Sequence, residues 1–522
     1  MGVLENKQSQ ELANKLWAVS NDLRGSMDSY KFKDYILGVI FYRYLSEHTE
    51  NYINHELLKN DNLTYEEALL DEKLAEVVKE WSLEHLGYIM EPKYLFRNLI
   101  AKISNNDFTI EDFETAIREV IGTTIGQDSE AAFDKLFDDM NLQDKDLGKE
   151  VSDRTEKMKK IMLRINDIDF KLEDSRIDIL GTAYMYLIGM FASDAGKKAG
   201  EFFTPACVSD LVARIATAGL TEVHSACDPC AGSGSMLLEL KNHLNTGKVG
   251  HFYAQEMNGS TYNLLRMNLL MHDVPYRQFS AFNDDTIKTD NFGEEQFQIQ
   301  VSNPPYSARL NVSHQVMKSD PRFSAAGAMP PKTKADLGFV EHMVYHMAEN
   351  GRIAVLLPHG VLFRGNAEET IRRYFIEKLN CLDAVIGLPA KLFMTTSIPV
   401  VLLVFKKNRN GDTDHIYFID ASKEFKPVKK MNTLEEVHIQ RIVDAYTNRQ
   451  DIEKFARKVS ISEIEENNYN LNIPRYINTF EEEPEIDLEK EFAILKELEN
   501  KEKTIKESLK GFLNELGLEG LL

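Results

Sequence analysis

Asn303-Pro304-Pro305-Tyr306 is the densest chemical signal in the 522-residue chain. It follows an apolar run, Phe297–Ser302, that reads as a buried strand, so the four residues form a turn at a strand end. The amide oxygen of Asn303 and the main-chain carbonyl of Pro304 are both acceptors. Together they suit a planar exocyclic amine, whose lone pair is drawn into its aromatic ring. Each acceptor takes one amine hydrogen, the nitrogen moves towards tetrahedral geometry, and its lone pair is freed to attack a methyl carbon in line. The two prolines fix their own φ angles and so aim the carbonyl. Tyr306 offers a face on which an extruded base stacks. Asn303, Pro304, Pro305 and Tyr306 are therefore the candidate catalytic residues. No strong general base is required, because the nitrogen becomes acidic once methylated.

Such a turn needs a bound donor beside it. Asp228-Pro229-Cys230-Ala231-Gly232-Ser233-Gly234-Ser235 follows the apolar run Val223–Cys227 and opens a helical pattern. Small residues there let the backbone approach a ligand where a Cβ would clash. The loop lacks both the G-x-G-x-x-G of dinucleotide sites and the Gly-Lys-Ser/Thr of a triphosphate loop, which lowers both readings. The next candidate strand, His251–Glu256, ends in an acid placed to bond ribose hydroxyls. Asn283-Asp284-Asp285-Thr286 supplies a third acid, Asp285, suited to accept from an adenine amino group on the ligand. The candidate ligand-binding set is Asp228, Ala231, Gly232, Ser233, Gly234, Ser235, Glu256 and Asp285.

The elements that must position these residues lie between Gly181 and about residue 420. Candidate strands are Val223–Cys227, His251–Glu256, Phe297–Ser302, Arg352–Leu357, Leu382–Gly387, Val400–Phe405 and Ile416–Ile419. Amphipathic stretches such as Ser260–Met271 and Phe339–Glu349 separate several of them. That alternation predicts an α/β fold with a mostly parallel sheet covered by helices on both faces. Residues 8 to about 170 read as helical: Leu37, Ile40, Phe41, Tyr44 and Leu45 share one helix face, and no strand alternation is visible. Ser307–Asp336 reads as a long polar loop directly after the catalytic turn, and its position points to function rather than disorder. A Glu-rich linker, Glu481–Pro484, precedes a charged helix from about Ile486 to Leu516 whose apolar stripe suits docking. The expected division is a helical domain over 1–170, a catalytic domain over 171–480 and a helical docking segment over 481–522.

Composition narrows the function classes. The net charge is −22, whereas a chain that grips DNA alone usually carries a basic footprint. A partner that holds the duplex is therefore expected. No apolar run reaches the ~18–20 residues of a membrane span, and no secretory signal is visible, which points to the cytoplasm. Four cysteines are too few for a disulfide scaffold, and Cys227-x-x-Cys230 has no second pair, so free thiols are expected and no metal. His342 and His346 stand four apart without the H-E-x-x-H pattern, which leaves them as a helix face. Lys332, Lys334 and the pairs Lys406-Lys407 and Lys429-Lys430 read as solvated charge.

The order of motifs resembles the N6-adenine DNA methyltransferases, and more narrowly the modification (methyltransferase) subunits of type I restriction–modification systems. Gly200-Glu201-Phe202-Phe203-Thr204-Pro205 comes first, then Asp228–Ser235, Glu256, Asp285 and Asn303–Tyr306. The first segment is similar to the family's Gln-Tyr/Phe-Phe-Thr-Pro stretch, which wraps the methionine end of S-adenosylmethionine. The resemblance thus adds Glu201, Phe202, Phe203, Thr204 and Pro205 to the ligand-binding set, with Glu201 where the family usually has glutamine. It covers nearly the whole chain, including a family-like helical start at Leu16–Arg24 and Tyr35–Glu47. It implies a Rossmann-like methyltransferase fold and methyl transfer to the N6 amine of a flipped adenine in double-stranded DNA. It also implies a specificity subunit that reads the site, a second modification subunit, and restriction subunits in the full complex. No ATPase loop or nuclease signature is present, which fits the methylating chain. Two other readings are weighed against it. One is a methyltransferase acting on a protein glutamine amide, and the other a cofactor-sensing subunit without turnover.

Overall fold

A computed structural model describes residues 11–18, 29–59, 63–169, 179–195, 204–393, 396–409, 411–428, 431–479 and 488–517. The chain packs as two units, Met1–Ile477 and Asn478–Leu522.

The first unit is built on a nine-stranded sheet. Its strands are β1 (Val223–Asp228), β2 (Val249–Gln255), β3 (Phe279–Phe282), β4 (Phe297–Ser302), β5 (Met347–Pro358), β6 (Leu382–Gly387), β7 (Val400–Lys406), β8 (His415–Asp420) and, after the two-stranded ribbon β9 (Lys426–Pro427) and β10 (Asn432–Thr433), β11 (Ala456–Ser460). The spatial order is β11-β8-β6-β7-β5-β4-β1-β2-β3. The run β3-β2-β1-β4-β5 is parallel throughout. β7 runs antiparallel to both β5 and β6, and β11 antiparallel to β8. The expected mostly parallel α/β sheet is present, mixed at one side. Each predicted strand exists; β3, β9, β10 and β11 were not among the candidates, and the start of β5 was placed late.

β6 and the first six residues of β7 are buried throughout, which is why they read as unbroken apolar runs without alternation. The helices Ser235–His243 and Gly259–Met271 follow β1 and β2 as crossovers. The latter starts at Asn258, whose side chain accepts from the Thr261 N–H as a cap.

Among the described residues, positions 11–169 contain helices and turns and no strand. Thr109 and Asp112 form a reciprocal capping box, and Asp71 caps Glu72–His85. Phe41, Tyr42, Phe113 and Phe133 are fully buried there. This part packs against Gly259–Met271. Buried Arg266 donates to the carbonyls of Ala131 (3.0 Å) and Asp134 (2.8 Å), and the Tyr44 hydroxyl donates to the Leu270 carbonyl at 2.9 Å.

Ser307–Asp336 is not an open loop. Helical turns at His314–Met317 and Pro321–Ser324 are capped by Ser313 and Asp320. Main-chain bonds from Leu310 to Lys332 (2.9 Å) and from Ala335 to Ala308 (3.0 Å) close its base. Met317, Phe323 and Ala335 pack with Ile287 and Phe339 in a small apolar cluster. The apolar residues are spaced too irregularly to signal this in sequence, so the segment looked polar.

In the second unit, Leu488–Glu515 is a single helix, close to the range expected. Phe492, Leu498, Ile505, Phe512 and Leu516 are all more than half exposed. The linker residues Glu481–Pro484 lie outside the described residues. No helix among the described residues is long and apolar enough to cross a membrane.

Candidate active site

The four parallel strands β3, β2, β1 and β4 end side by side. Asp228 of β1 lies in register with Ala254 of β2, Gln255 of β2 with Phe282 of β3, and Cys227 of β1 with Gln300 of β4. The chain therefore delivers the glycine loop, Glu256, Asp285 and the Asn303 turn to one rim. Strand order reverses between β1 and β4, the place where open α/β sheets bind ligands.

A buried contact joins the glycine loop to the catalytic turn. The Ser302 hydroxyl, one residue before Asn303, donates to Asp228 Oδ1 at 2.8 Å, and the Cys230 N–H donates to the same oxygen at 2.9 Å. Asp228 is buried, and burial pushes its carboxyl up to about 7 against these two bonds, with the nearby Glu256 charge adding to the rise. Sequence reasoning missed Ser302; a hydroxyl ending a buried strand beside an acidic loop is a signal only once β1 and β4 are known to be neighbours.

Glu256 holds the loop from the other side. One carboxylate oxygen accepts from the Gly232 N–H (3.0 Å) and the other from the Asn258 N–H (2.8 Å). Burial raises its pKa more than these bonds lower it. Ala231 donates its N–H to the Gln255 carbonyl at 3.0 Å. Gly232 and Gly234 take φ of 55° and 81°, where L side chains are strained. A Cβ on Gly234 would also stand 2.7 Å from Leu265 Cδ1. The Ser233 hydroxyl is buried without a hydrogen-bond partner, and Ser235 begins the helix behind the loop. Two positions without a Cβ, a buried hydroxyl without a partner and an acid beside them leave a polar cradle at this rim.

Asp285, expected to face the ligand, is also bonded within the protein. Its Oδ1 accepts from the N–H groups of Ile287 (3.0 Å) and Lys288 (3.2 Å), and its Oδ2 accepts from Asn311 Nδ2 at 2.8 Å. It ties the 307–336 segment to the rim.

The Asn303–Tyr306 turn is oriented in advance. Asn303 Nδ2 donates to Thr204 Oγ1 at 3.0 Å, and the Tyr306 hydroxyl donates to Asn303 Oδ1 at 2.6 Å. Burial pushes the Tyr306 phenol up, so it stays protonated and donates. The amide cannot flip without losing both bonds, and one lone pair of Oδ1 remains for another donor. Pro304 is buried and Pro305 exposed. The Tyr306 ring meets Phe393 edge-on at 6.1 Å between centroids. Ser307 follows at φ 54°, its N–H donating at 2.7 Å to buried Asp336, which also pairs with Arg364 at 2.8 Å. Asp336, Arg364 and Phe393 carried no signal in the sequence, because only the fold brings them to the turn. Of the 200–205 segment, Thr204 and Pro205 are in place, Pro205 preceding the helix Ala206–Thr217. Glu201, Phe202 and Phe203 lie outside the described residues.

Of the cysteines, Cys227 lies near the end of β1 and Cys230 in the glycine loop itself. The four cysteines are free thiols. His342 and His346 lie with Asp290 within the span of a metal site. There, however, Arg322 donates to His342 Nδ1 at 3.1 Å, which places the imidazole proton on Nε2 and leaves His342 no lone pair for a cation. His346 bonds Asp290 and the Glu295 carbonyl, so the pair acts as a buried strut.

Comparison with known proteins follows the same lines. Residues 175–485 match the family model for N-6 DNA methylase, and residues 12–165 match that for the HsdM N-terminal domain. The type I restriction enzyme MpnII methylase subunit of Mycoplasma pneumoniae is 36% identical, over 98% of each chain. The MjaIX methylase subunit of Methanocaldococcus jannaschii is 27% identical, over 97% of this chain and 92% of its own. A crystal structure of the type I restriction-modification system methyltransferase subunit from Streptococcus thermophilus superposes with a TM-score of 0.82 at 38% identity, covering 90% of this chain and all of that one.

Proposed function

The chain belongs to the N-6 DNA methylase family and is an adenine-specific DNA methyltransferase subunit of the type I kind, and from that premise we propose how its residues divide the work. The family match sets aside the protein-amide and non-catalytic readings. Ala231–Ser235 would hold S-adenosylmethionine, with Glu256 serving its ribose and Thr204 and Pro205 its methionine end. The cofactor supplies a methyl on a positively charged sulfur, which leaves with the bonding pair. The free lone pair of Asn303 Oδ1 and the Pro304 carbonyl take the two hydrogens of the N6 amine. Tyr306 stacks on the flipped adenine while its hydroxyl holds the Asn303 amide. The amine proton is released to water after transfer. A separate specificity subunit selects the site in a cytoplasmic complex with a second modification subunit, restriction subunits joining for cleavage. Residues 481–522 serve docking within that complex.

The observation that carries this reading is the Asn303 amide, fixed by Thr204 on one side and Tyr306 on the other. It is tested by mixing the chain with its specificity subunit, labelled S-adenosylmethionine and duplex DNA, then digesting the DNA. Label is expected in N6-methyladenine. Asn303→Ala is expected to abolish that label while cofactor binding stays largely intact. Equal loss of cofactor binding would show that the roles of turn and cradle are wrongly divided.

A further inference from the structure

The segment 307–336 carries five basic residues and two acids, in a chain whose net charge is −22. Both acids are used internally. Asp320 pairs with buried Arg322 at 2.7 Å, and Arg322 also donates to the carbonyls of Thr286 and Ile287. Asp336 is buried against Arg364 and the Ser307 N–H. The charge left facing water is therefore all positive. Arg309, Lys318 and Lys332 are exposed and form no ion pair among the described residues, and half-buried Lys334 donates to the Ser307 hydroxyl at 2.7 Å. The lysines elsewhere that read the same way in sequence differ: Lys406 pairs with Asp383 and Lys407 with Glu349.

This charge is held at the catalytic turn. Arg309 stands three residues after Tyr306, and Leu310 is bonded to Lys332 at the base of the segment. The fold is fixed by its apolar cluster and by the Asn311–Asp285 bond, so the charges are displayed on an ordered frame. Three exposed cations without an ion pair, on the segment that follows a turn handling a base, suit a chain of phosphates better than a single small anion. Exposed basic side chains on an acidic chain also attract phosphate where the rest of the surface repels it.

We propose that Arg309, Lys318 and Lys332 grip the DNA backbone phosphates flanking the extruded adenine, independently of the specificity subunit. The proposal rests on the DNA-methylating reading given above. Phosphate contacts position the duplex without reading sequence, and each gives a salt slope of roughly 0.9 in log affinity against log salt.

The test uses the full chain assembled with its specificity subunit and compares wild type with the triple variant R309Q/K318Q/K332Q and the reversal Lys332→Glu. Affinity for duplex DNA carrying the site is measured between 50 and 200 mM salt. The triple variant is expected to bind more weakly at 50 mM. Its slope should be shallower by about 2.7, so that the wild-type advantage shrinks about 40-fold across the range. Lys332→Glu alone should weaken binding at 50 mM, with cofactor affinity and melting temperature unchanged in both. An unchanged slope with intact wild-type methylation overturns the phosphate assignment alone. A wild-type complex that methylates no DNA overturns the functional reading itself. Loss of subunit assembly with the DNA slope intact identifies the face as a protein contact and also overturns the proposal.

Discussion

Thr204→Val is the sharpest perturbation of the catalytic turn. Valine keeps the shape of threonine and removes only the acceptor that Asn303 Nδ2 reaches at 3.0 Å. Thr204 is 8% exposed, so little water can replace the lost oxygen on its side, while Asn303 is half-buried and recovers part of the cost. A net hydrogen bond of this kind contributes about 0.5–1.5 kcal/mol. If that energy holds the amide in its reactive orientation, the single-turnover methylation rate falls roughly 2- to 13-fold. The Tyr306 hydroxyl still holds Oδ1 at 2.6 Å, which keeps the loss from being larger. Tyr306→Phe, which keeps the ring, should cost a similar factor. The double variant releases both ends of the amide and should be more than about twofold worse than the product of the singles, because the two anchors share one group. The assay is rapid-quench methylation of duplex DNA by the assembled complex at saturating cofactor, with Thr204→Ser as the rescue. An unchanged rate in Thr204→Val, a serine variant as slow as the valine one, or a defect confined to cofactor affinity would each refute the anchoring argument.

Two further outcomes follow from the same coordinates. The Asp228 carboxyl has a folded pKa of about 7 against an ordinary 3.8, so its stabilising contribution is fully present below pH 3.8 and is lost as pH rises through about 7. Asp228→Asn without cofactor should therefore gain on wild type between pH 4 and 7, by on the order of 4 kcal/mol, in denaturant titrations at several pH values; parallel pH profiles would show that the carboxyl ionises freely. Deleting residues 481–522, which begin within the second packed unit, should weaken assembly with the specificity subunit and leave cofactor affinity unchanged, and an intact complex on size exclusion would rule that out.

What was legible in the sequence was whatever depends on neighbours along the chain. The apolar run before Asp228, the glycines after it and the prolines of Asn303–Tyr306 announce a strand, a close approach and a stiff turn through local chemistry alone. β3, Phe279–Phe282, has four residues and offers too short a run to separate from a loop. β7 is buried on both faces along most of its length, so its composition carries no record of direction. Its antiparallel seat between β5 and β6 follows a short connection whose described residues contain no helix. The partners that orient the site are remote in sequence: Thr204 and Asn303 are 99 positions apart, and Asp228 and Ser302 are 74 apart. No periodicity or motif links such pairs before the strand register is known. The His342–His346 spacing shows the converse, since His342 is engaged by Arg322, from a segment that read as a polar loop, and His346 by Asp290 and the Glu295 carbonyl.

The same register explains why a helical region without chemistry of its own belongs to the packed body of the site. Gly259–Met271 starts directly after Asn258, whose N–H donates to the Glu256 carboxylate, and it carries three kinds of contact along its length. Asn268 is fully buried and donates to the Ser233 carbonyl at 2.7 Å, which fixes the glycine loop from behind. Leu265 fills the space that a side chain at position 234 would need. Arg266, also buried, spends its guanidinium on the Ala131 and Asp134 carbonyls of the helical region and on Asn263 beside it. A buried guanidinium is tolerable only where carbonyl and amide oxygens take its hydrogens, so these turns must stay where they are for the helix to sit as it does. The glycine loop is thus braced through one helix against Ala131 and Asp134, far upstream in the helical region. Its geometry is a property of the helical region and the sheet together, and of neither alone.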